Sequence, residues 1–154
     1  MSITKLARLP GGETNSTIEH HVSGADCCLI AEDRRGIERL LQNRSTRHAP
    51  NPPLLNGLLR QKLRASHDAP VPTPPDLVVA GSHVTYMISG EGSRSGTLSM
   101  GPTPVPGHIL VASLLGATLI GMRRMQKAPL LRETGQTDIV VVLDVTPPPE
   151  HDAA

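Results

Sequence analysis

The side chains best suited to chemistry in this chain are cations gathered in one segment. Residues 31–66 carry eight Lys or Arg against three carboxylates, whereas the whole chain has a formal net charge of +1. A local excess of positive charge suits contact with an acidic protein surface or with nucleic-acid phosphate. The alternative is a solvated helix face, which also collects charges. The eight cations are Arg34, Arg35, Arg39, Arg44, Arg47, Arg60, Lys62 and Arg64.

A second cationic group follows a short helix that the sequence predicts before residue 121. These side chains suit contact with a partner, but cations near a helix C-terminus also complement the helix dipole. The second group consists of the three cations at positions 123, 124 and 127. Together with four arginines of the segment 31–66, they are the seven candidate contacts for a protein partner or for phosphate. They are Arg44, Arg47, Arg60, Arg64, Arg123, Arg124 and Lys127.

Two other patterns suggest catalysis or metal binding, and each has a simpler interpretation. Ser113 is a possible nucleophile, but no Gly-x-Ser-x-Gly motif surrounds it, so we predict that it caps a helix. Zinc sites usually use spaced pairs of ligands, whereas the candidates here are adjacent residues, which we interpret as ordinary tail residues. We therefore predict no catalytic residue, no metal site and no cofactor. The adjacent pairs are His20, His21, Cys27 and Cys28.

Composition narrows the class of protein further. A length of 154 residues fits one domain with appendages. Tyr86 is the single aromatic residue, so the sequence lacks the aromatic platforms on which single-stranded nucleic acids stack. The first residues show no apolar signal-peptide segment, and the cysteines suggest no disulfide framework. The apolar run 109–122 is too short to span a bilayer, so we expect a cytoplasmic protein.

Apolar periodicity predicts two helices in the first half of the chain. Ile37, Leu40 and Leu41 share one helical face, behind a cap at Asp33 or Glu32. A segment rich in helix breakers follows, and Pro53 suits the first turn of a second helix. The second helix presents four leucines on one face: Leu55, Leu58, Leu59 and Leu63.

The second half of the chain has the alternating pattern of strands. Residues 67–75 contain four prolines, which predict a stiff linker. Strands are then predicted over 83–88, 97–100 and 107–112, with a turn over 90–96. Ser113 caps a short helix that ends at Gly121. A hairpin follows, formed by strands 127–132 and 138–145, and the apolar run 139–143 indicates that its second strand lies inside the sheet.

The segment after Ala112 resembles a known family. Its residues Ser-Leu-Leu-Gly-Ala-Thr-Leu-Ile-Gly, 113–121, resemble the Ser-Pro-x-Gly-x-Ala-Leu-Leu-Gly segment of the Gre-factor C-terminal domain. Residues 77–84 are similar to the family's entry into its first strand, and 138–147 to its last strand. The branch named regulator of nucleoside diphosphate kinase (Rnk) fits best, because its first helix is similar to residues 35–41. Leu114 stands where the family has Pro, and a Gly after the helix is replaced near Met125.

This resemblance implies an α+β fold with two units. The first is a short N-terminal antiparallel helical hairpin over residues 27–66. The linker over 67–75 leads to the second, a small FKBP-like antiparallel β-domain with one short helix over 76–147. Residues 1–26 and 148–154 are predicted to be disordered tails.

The resemblance also implies a partner. Gre factors bind bacterial RNA polymerase at its secondary channel, so we expect docking on the channel rim by a transcription elongation regulator. Their stimulation of transcript cleavage needs acidic residues at the hairpin tip, because carboxylates hold Mg²⁺. The tip predicted here, residues 43–51, has no Asp or Glu and offers Arg44, Arg47 and His48. We therefore expect a regulator that is not an enzyme.

The remaining expectations concern other partners. The resemblance implies no membrane contact and no small-molecule substrate, with nucleic acid touched at most indirectly. One alternative is a binding module on the same scaffold for another cytosolic protein, such as nucleoside diphosphate kinase. A further alternative is a prolyl isomerase, suggested by fold analogy alone and disfavoured by the single aromatic residue.

Overall fold

A five-stranded sheet forms the larger part of the structure, a computed structural model that describes residues 27–149. Three helices and a two-stranded sheet complete the described part, which confirms the predicted α+β class. The helices are α1 (Ala31–Gln42), α2 (Pro52–Ala65) and α3 (Leu114–Leu119). The strands are β1 (Cys28–Leu29), β2 (His67–Asp68), β3 (His83–Ile88), β4 (Ser93–Ser99), β5 (His108–Leu110), β6 (Lys127–Leu131) and β7 (Thr137–Thr146).

The strands of the large sheet run in the order β5-β4-β3-β7-β6. β3 pairs antiparallel with β4 and β7, and β7 pairs antiparallel with β6. β7 therefore lies inside the sheet, as its apolar run predicts. Alternate residues of β3 and β7 are buried on the core face, which is the pattern expected of a sheet with one covered face. They are Val84, Tyr86, Ile88, Val140 and Val142.

The prediction of an antiparallel β-domain is wrong at one edge of this sheet. β5 pairs parallel with β4, with Thr97 opposite His108. The connection over 100–107, which contains three prolines, returns the chain to the same end of the sheet before β5 begins. Parallel neighbours need such a crossover, whereas a tight turn joins antiparallel ones. β4 also includes residues 93–96, for which the sequence predicts a turn.

The two N-terminal helices begin differently. α1 has Ile30 at its N-cap, which offers no side-chain acceptor, so the predicted cap at Asp33 is wrong. Asp33 is buried instead, and its carboxylate accepts a hydrogen bond from the Ala80 backbone N–H at 3.2 Å. α2 has the expected cap, because Asn51 Oδ1 accepts from the Leu54 N–H at 3.3 Å.

One hydrophobic cluster joins the helices to the large sheet. The predicted linker 67–75 begins with β2, which pairs parallel with β1, so its first two residues are strand. Within residues 27–149, no helix combines the length and the apolar character needed to cross a membrane. The cluster includes Ile37 and Leu40 of α1, Leu55 and Leu59 of α2, Ala117 and Leu119 of α3, and Leu98 and Leu130 of the sheet.

The predicted tails fall mostly outside this description. Residues 1–26 and 150–154 lie outside the described residues. Of the predicted C-terminal tail, Pro148 is described and buried, and its ring lies against Gly81. The prediction of a disordered tail therefore does not hold at Pro148.

The stretch 108–121 forms a strand followed by a short helix, as the sequence predicts. Ser113 Oγ accepts a hydrogen bond from the Gly116 N–H at 3.0 Å, and its hydroxyl donates to the Leu110 carbonyl at 2.6 Å. This geometry confirms that Ser113 caps α3. Gly121 follows the helix with φ +86°, a conformation that favours glycine, and a Cβ there would lie 2.9 Å from the Cys28 carbonyl oxygen.

Gly116 allows α3 to lie directly against the chain that precedes it. A Cβ at this position would overlap the Leu110 carbonyl and lie 2.9 Å from Val111 Cα. Backbone atoms cannot move aside as a flexible side chain can, so the position requires glycine. This requirement explains why a glycine stands at this point of the segment.

Gly116→Ala is expected to destabilise the protein by at least about 1–3 kcal/mol, the usual cost of overpacking a core. Denaturant unfolding measures the change. Gly57→Ala is the matched control, because Gly57 lies in α2 and a methyl group added there would meet no atom within 4 Å. That control should stabilise by up to about 1 kcal/mol through helix propensity. Equal effects at both positions would contradict the close approach.

Candidate functional site

The loop between α1 and α2 carries the first candidate contacts. Arg44 and Arg47 are exposed, and Arg44 has a positive φ of 53°. Between them, Thr46 is buried, and its hydroxyl donates a hydrogen bond to Asn56 Oδ1 of α2. A buried threonine between two exposed arginines fixes the loop to the helix while leaving both cations at the surface.

The same loop lies close to the start of α3. His48 and Asn51 line a cavity of about 370 Å³ together with Pro102, Pro104 and Ser113. The basic loop is therefore next to the proline-containing connection of the sheet. This proximity, which the sequence did not indicate, places Ser45, His48 and Asn51 of the loop next to residues 102–104 and the start of α3.

Arg60 and Arg64 occupy the exposed side of α2, one helical turn apart. The opposite side of α2 buries Leu55 and Leu59. Within residues 27–149 neither arginine forms an ion pair, so their charges are available to a partner. This arrangement also matches the alternative of a solvated helix face.

The candidates that follow α3 have part of their positive charge neutralised by carboxylates. Arg123 forms an ion pair with Asp76 at 3.0 Å, and Arg124 lies 4.0 Å from Asp144. Lys127, at the start of β6, is exposed and has no ion pair among the described residues. All three residues follow the end of α3. The last turn of α3 itself contains no basic residue that could complement the helix dipole.

The cation at the C-terminus of α3 is Lys62, from another helix. Its Nζ donates hydrogen bonds to the Thr118 carbonyl at 3.0 Å and to the Ile120 carbonyl at 2.9 Å. These are the carbonyls that a helix end leaves without intrahelical partners, and a cation there also complements the dipole. Lys62 is therefore not part of the basic surface, where the sequence places it.

Lys62 is enclosed by the fold. Its side chain is buried, and Nζ lies 3.4 Å from the thiol of Cys27, a residue that is itself buried. Burial lowers the pKa of Lys62, and the nearby Cys27 opposes that shift. Lys62 follows Leu55 by seven residues and Leu59 by three, a helical spacing that puts it on the buried face of α2. This spacing is the signal by which sequence analysis could have found it.

The other sequence candidates show no catalytic or metal-binding arrangement among the described residues. Ser113 uses its hydroxyl for the α3 cap. No three His, Cys, Asp or Glu side chains in residues 27–149 lie close enough to hold a metal ion. Cys27 belongs to the core and Cys28 to β1, so neither is a tail residue. His20 and His21 lie outside the described residues.

Comparison with known proteins gives matches among solved structures only. No protein-family model and no curated protein matches the chain. A prokaryotic transcription elongation factor GreA/GreB from Nitrosomonas europaea is similar, with 21% identity and a TM-score of 0.55. That match covers 79% of this chain and 100% of the other. At this identity, the likeness shows that the two chains share a fold.

Two more distant matches were found. GreA factor homolog 1 (Gfh1) of Thermus thermophilus has 13% identity and a TM-score of 0.38, covering 79% of this chain and 99% of that one. Gfh1 of Thermus aquaticus has 12% identity and a TM-score of 0.40, with the same coverage.

Lys62 should give the protein a characteristic pH dependence. Because the pKa of Lys62 is lower when folded than its ordinary 10.5, the unfolded chain binds more protons between those two values. The free energy of unfolding therefore rises with pH across that window. Lys62→Met removes the titrating group, so this rise should disappear in urea unfolding measured between about pH 7 and pH 10.

The control for this measurement is Lys127→Met, which removes an exposed lysine and should keep the rise. Burial raises the pKa of Tyr86, which lowers stability only as the pH passes above 10.0, so the measurements stay below that value. Identical slopes in the native protein and Lys62→Met would contradict the buried position of the amine.

Proposed function

We propose that this chain binds bacterial RNA polymerase at the rim of the secondary channel, as a Gre-type transcription regulator closest to the Rnk branch. The fold shared with the N. europaea protein supports this proposal, because the match covers that transcription elongation factor over its full length. The resemblance of residues 113–121 to the Gre-factor segment supports it independently. In this proposal the protein is cytoplasmic and has no small-molecule substrate and no membrane contact.

We also propose an arrangement for the three helices. α1 and α2 form the short antiparallel hairpin, and the β-domain packs its short helix on the sheet as FKBP-like domains do. Arg34 Nη1 in the first turn of α1 donates to the Leu63 carbonyl near the end of α2 at 2.7 Å, which suits antiparallel helices. The helices have 12 and 14 residues. At 1.5 Å per residue their lengths are about 18 and 21 Å, so the hairpin is short.

The observation that carries the regulatory assignment is the charge of the loop at the hairpin tip. Residues 43–51 contain no carboxylate and expose Arg44 and Arg47. A hard cation such as Mg²⁺ binds carboxylate oxygens, so a cationic loop cannot supply a metal to the polymerase active site. We therefore propose a factor that occupies the channel or competes for it, without stimulating transcript cleavage.

The candidate contacts divide into two kinds in this proposal. Arg44, Arg47, Arg60, Arg64 and Lys127 present unneutralised charge to an acidic surface of the polymerase. Arg123 and Arg124 already have carboxylate partners and would contact the polymerase through their remaining N–H donors. Contacts of this kind mainly increase the rate of association and its dependence on salt.

The double variant Arg44→Glu/Arg47→Glu should bind core RNA polymerase at least about tenfold more weakly than the native protein, because it reverses two surface charges. Surface plasmon resonance on immobilised polymerase measures the change. Arg94→Glu is the control, since Arg94 is an exposed arginine on β4 that is not among the candidate contacts. It should bind like the native protein, and equal losses in both variants would contradict the assigned contacts.

A pull-down from bacterial lysate tests the partner itself. Retention of polymerase subunits is the expected result. Failure to retain any subunit, with capture of nucleoside diphosphate kinase or another cytosolic protein, would favour the alternative of a binding module on the same scaffold.

The chain should not accelerate transcript cleavage in backtracked elongation complexes. The reason is the absence of acidic residues in the loop 43–51. Gel analysis of labelled RNA measures the cleavage rate, with a cleavage-competent GreA or GreB as the positive control. A rate above the factor-free background by more than about twofold would contradict this part of the proposal.

A further inference from the structure

Cys27 and Lys62 form a buried pair of reactive side chains. Cys27 precedes β1 and Lys62 lies on α2, yet the thiol Sγ and the amine Nζ are 3.4 Å apart. Relative exposure is 2% for Cys27 and 9% for Lys62. The fold therefore holds an amine nitrogen in contact with a sulfur atom, although the two residues are 35 positions apart in the sequence.

A cavity gives small molecules access to this pair. It has a volume of about 220 Å³ and is lined by both residues. Its other lining residues carry no charge, and several are apolar, such as Leu58, Ala128 and Leu131. A water molecule occupies about 30 Å³, so a peroxide molecule fits easily.

We propose that Cys27 and Lys62 are a site of reversible oxidative crosslinking, in which hydrogen peroxide joins the thiol and the amine as a sulfenamide. The crosslink would join α2 to the residue before β1, whichever partner the protein binds.

The reaction needs one peroxide molecule and proceeds in two steps. The Cys27 sulfur attacks the O–O bond, which breaks, so the thiol becomes a sulfenic acid while the peroxide is reduced to water. The lone pair of the Lys62 amine then attacks the sulfur, forming the S–N bond as the S–O bond breaks. The departing hydroxyl takes the proton lost by the amine and leaves as a second water.

The geometry places the Lys62 amine next to the Cys27 sulfur. Attack needs the neutral amine, and burial lowers the pKa of Lys62, while the nearby Cys27 opposes that shift. The Thr118 and Ile120 carbonyls fix its nitrogen next to the sulfur through their two hydrogen bonds. Cys28 is the competing nucleophile, but a disulfide between sequence neighbours closes a strained ring.

Crosslinking would alter how α2 is attached. A sulfenamide nitrogen keeps a single N–H, so it can bond only one of the two carbonyls at the end of α3. The crosslink replaces the lost hydrogen bond with a covalent tie between α2 and the residue before β1. Oxidation would thus replace one of the two hydrogen bonds of Lys62 with a covalent bond and keep the other.

Intact mass spectrometry of the full chain after peroxide treatment tests the proposal. The expected product is lighter by about 2 Da than the reduced chain, and a thiol reductant restores the original mass. Protease digestion should yield one peptide pair that links Cys27 to Lys62. A product heavier by about 16 or 32 Da at Cys27, without a linked peptide pair, would overturn the proposal.

Two variants separate this crosslink from a Cys27–Cys28 disulfide, which has the same mass. Cys28→Ser should still lose about 2 Da, whereas Lys62→Arg should not. The opposite pattern, loss in Lys62→Arg and none in Cys28→Ser, would show a disulfide and overturn the proposal. If Lys62→Arg does not fold, as judged by circular dichroism, the mass change and the peptide map of Cys28→Ser distinguish the crosslink from the disulfide.

Discussion

The close approach of α3 to the chain that precedes it is the constraint on which the rest of the structure depends. Gly116 lets the helix lie against the Leu110 carbonyl, and the Ser113 hydroxyl ties the same carbonyl to the first turn. This contact places Ala117 and Leu119 in the core, between the sheet and α2. A larger residue at position 116 would push the helix away from both, because backbone cannot yield as side chains do.

The end of the same helix is where α2 is attached. Lys62 satisfies the Thr118 and Ile120 carbonyls, which would otherwise be buried without partners. Removing a cation from water is unfavourable, and the lowered pKa of Lys62 reflects that cost. The hydrogen bonds and the helix dipole offset this desolvation cost. The two hydrogen bonds of Lys62 therefore fix the position of α2 within a largely apolar contact.

The cations of the segment 31–66 therefore serve two purposes. Lys62 is inside, where it organises the fold, while Arg44, Arg47, Arg60 and Arg64 remain at the surface with no ion pair among the described residues. Arg123 and Arg124 are held by carboxylates of their own domain. The net charge counts all of these residues equally. The exposed cations without an ion pair contribute most to the positive electrostatic potential at the surface.

Local sequence patterns predicted the three helices, most of the five strands of the large sheet and the cap of α3, because these depend on local periodicity and on single residues such as Ser113 and Gly121. Tertiary structure decided the rest. The parallel pairing of β5, the buried Asp33 and the partners of Lys62 all join residues distant in sequence, and no local pattern encodes which distant group will meet them.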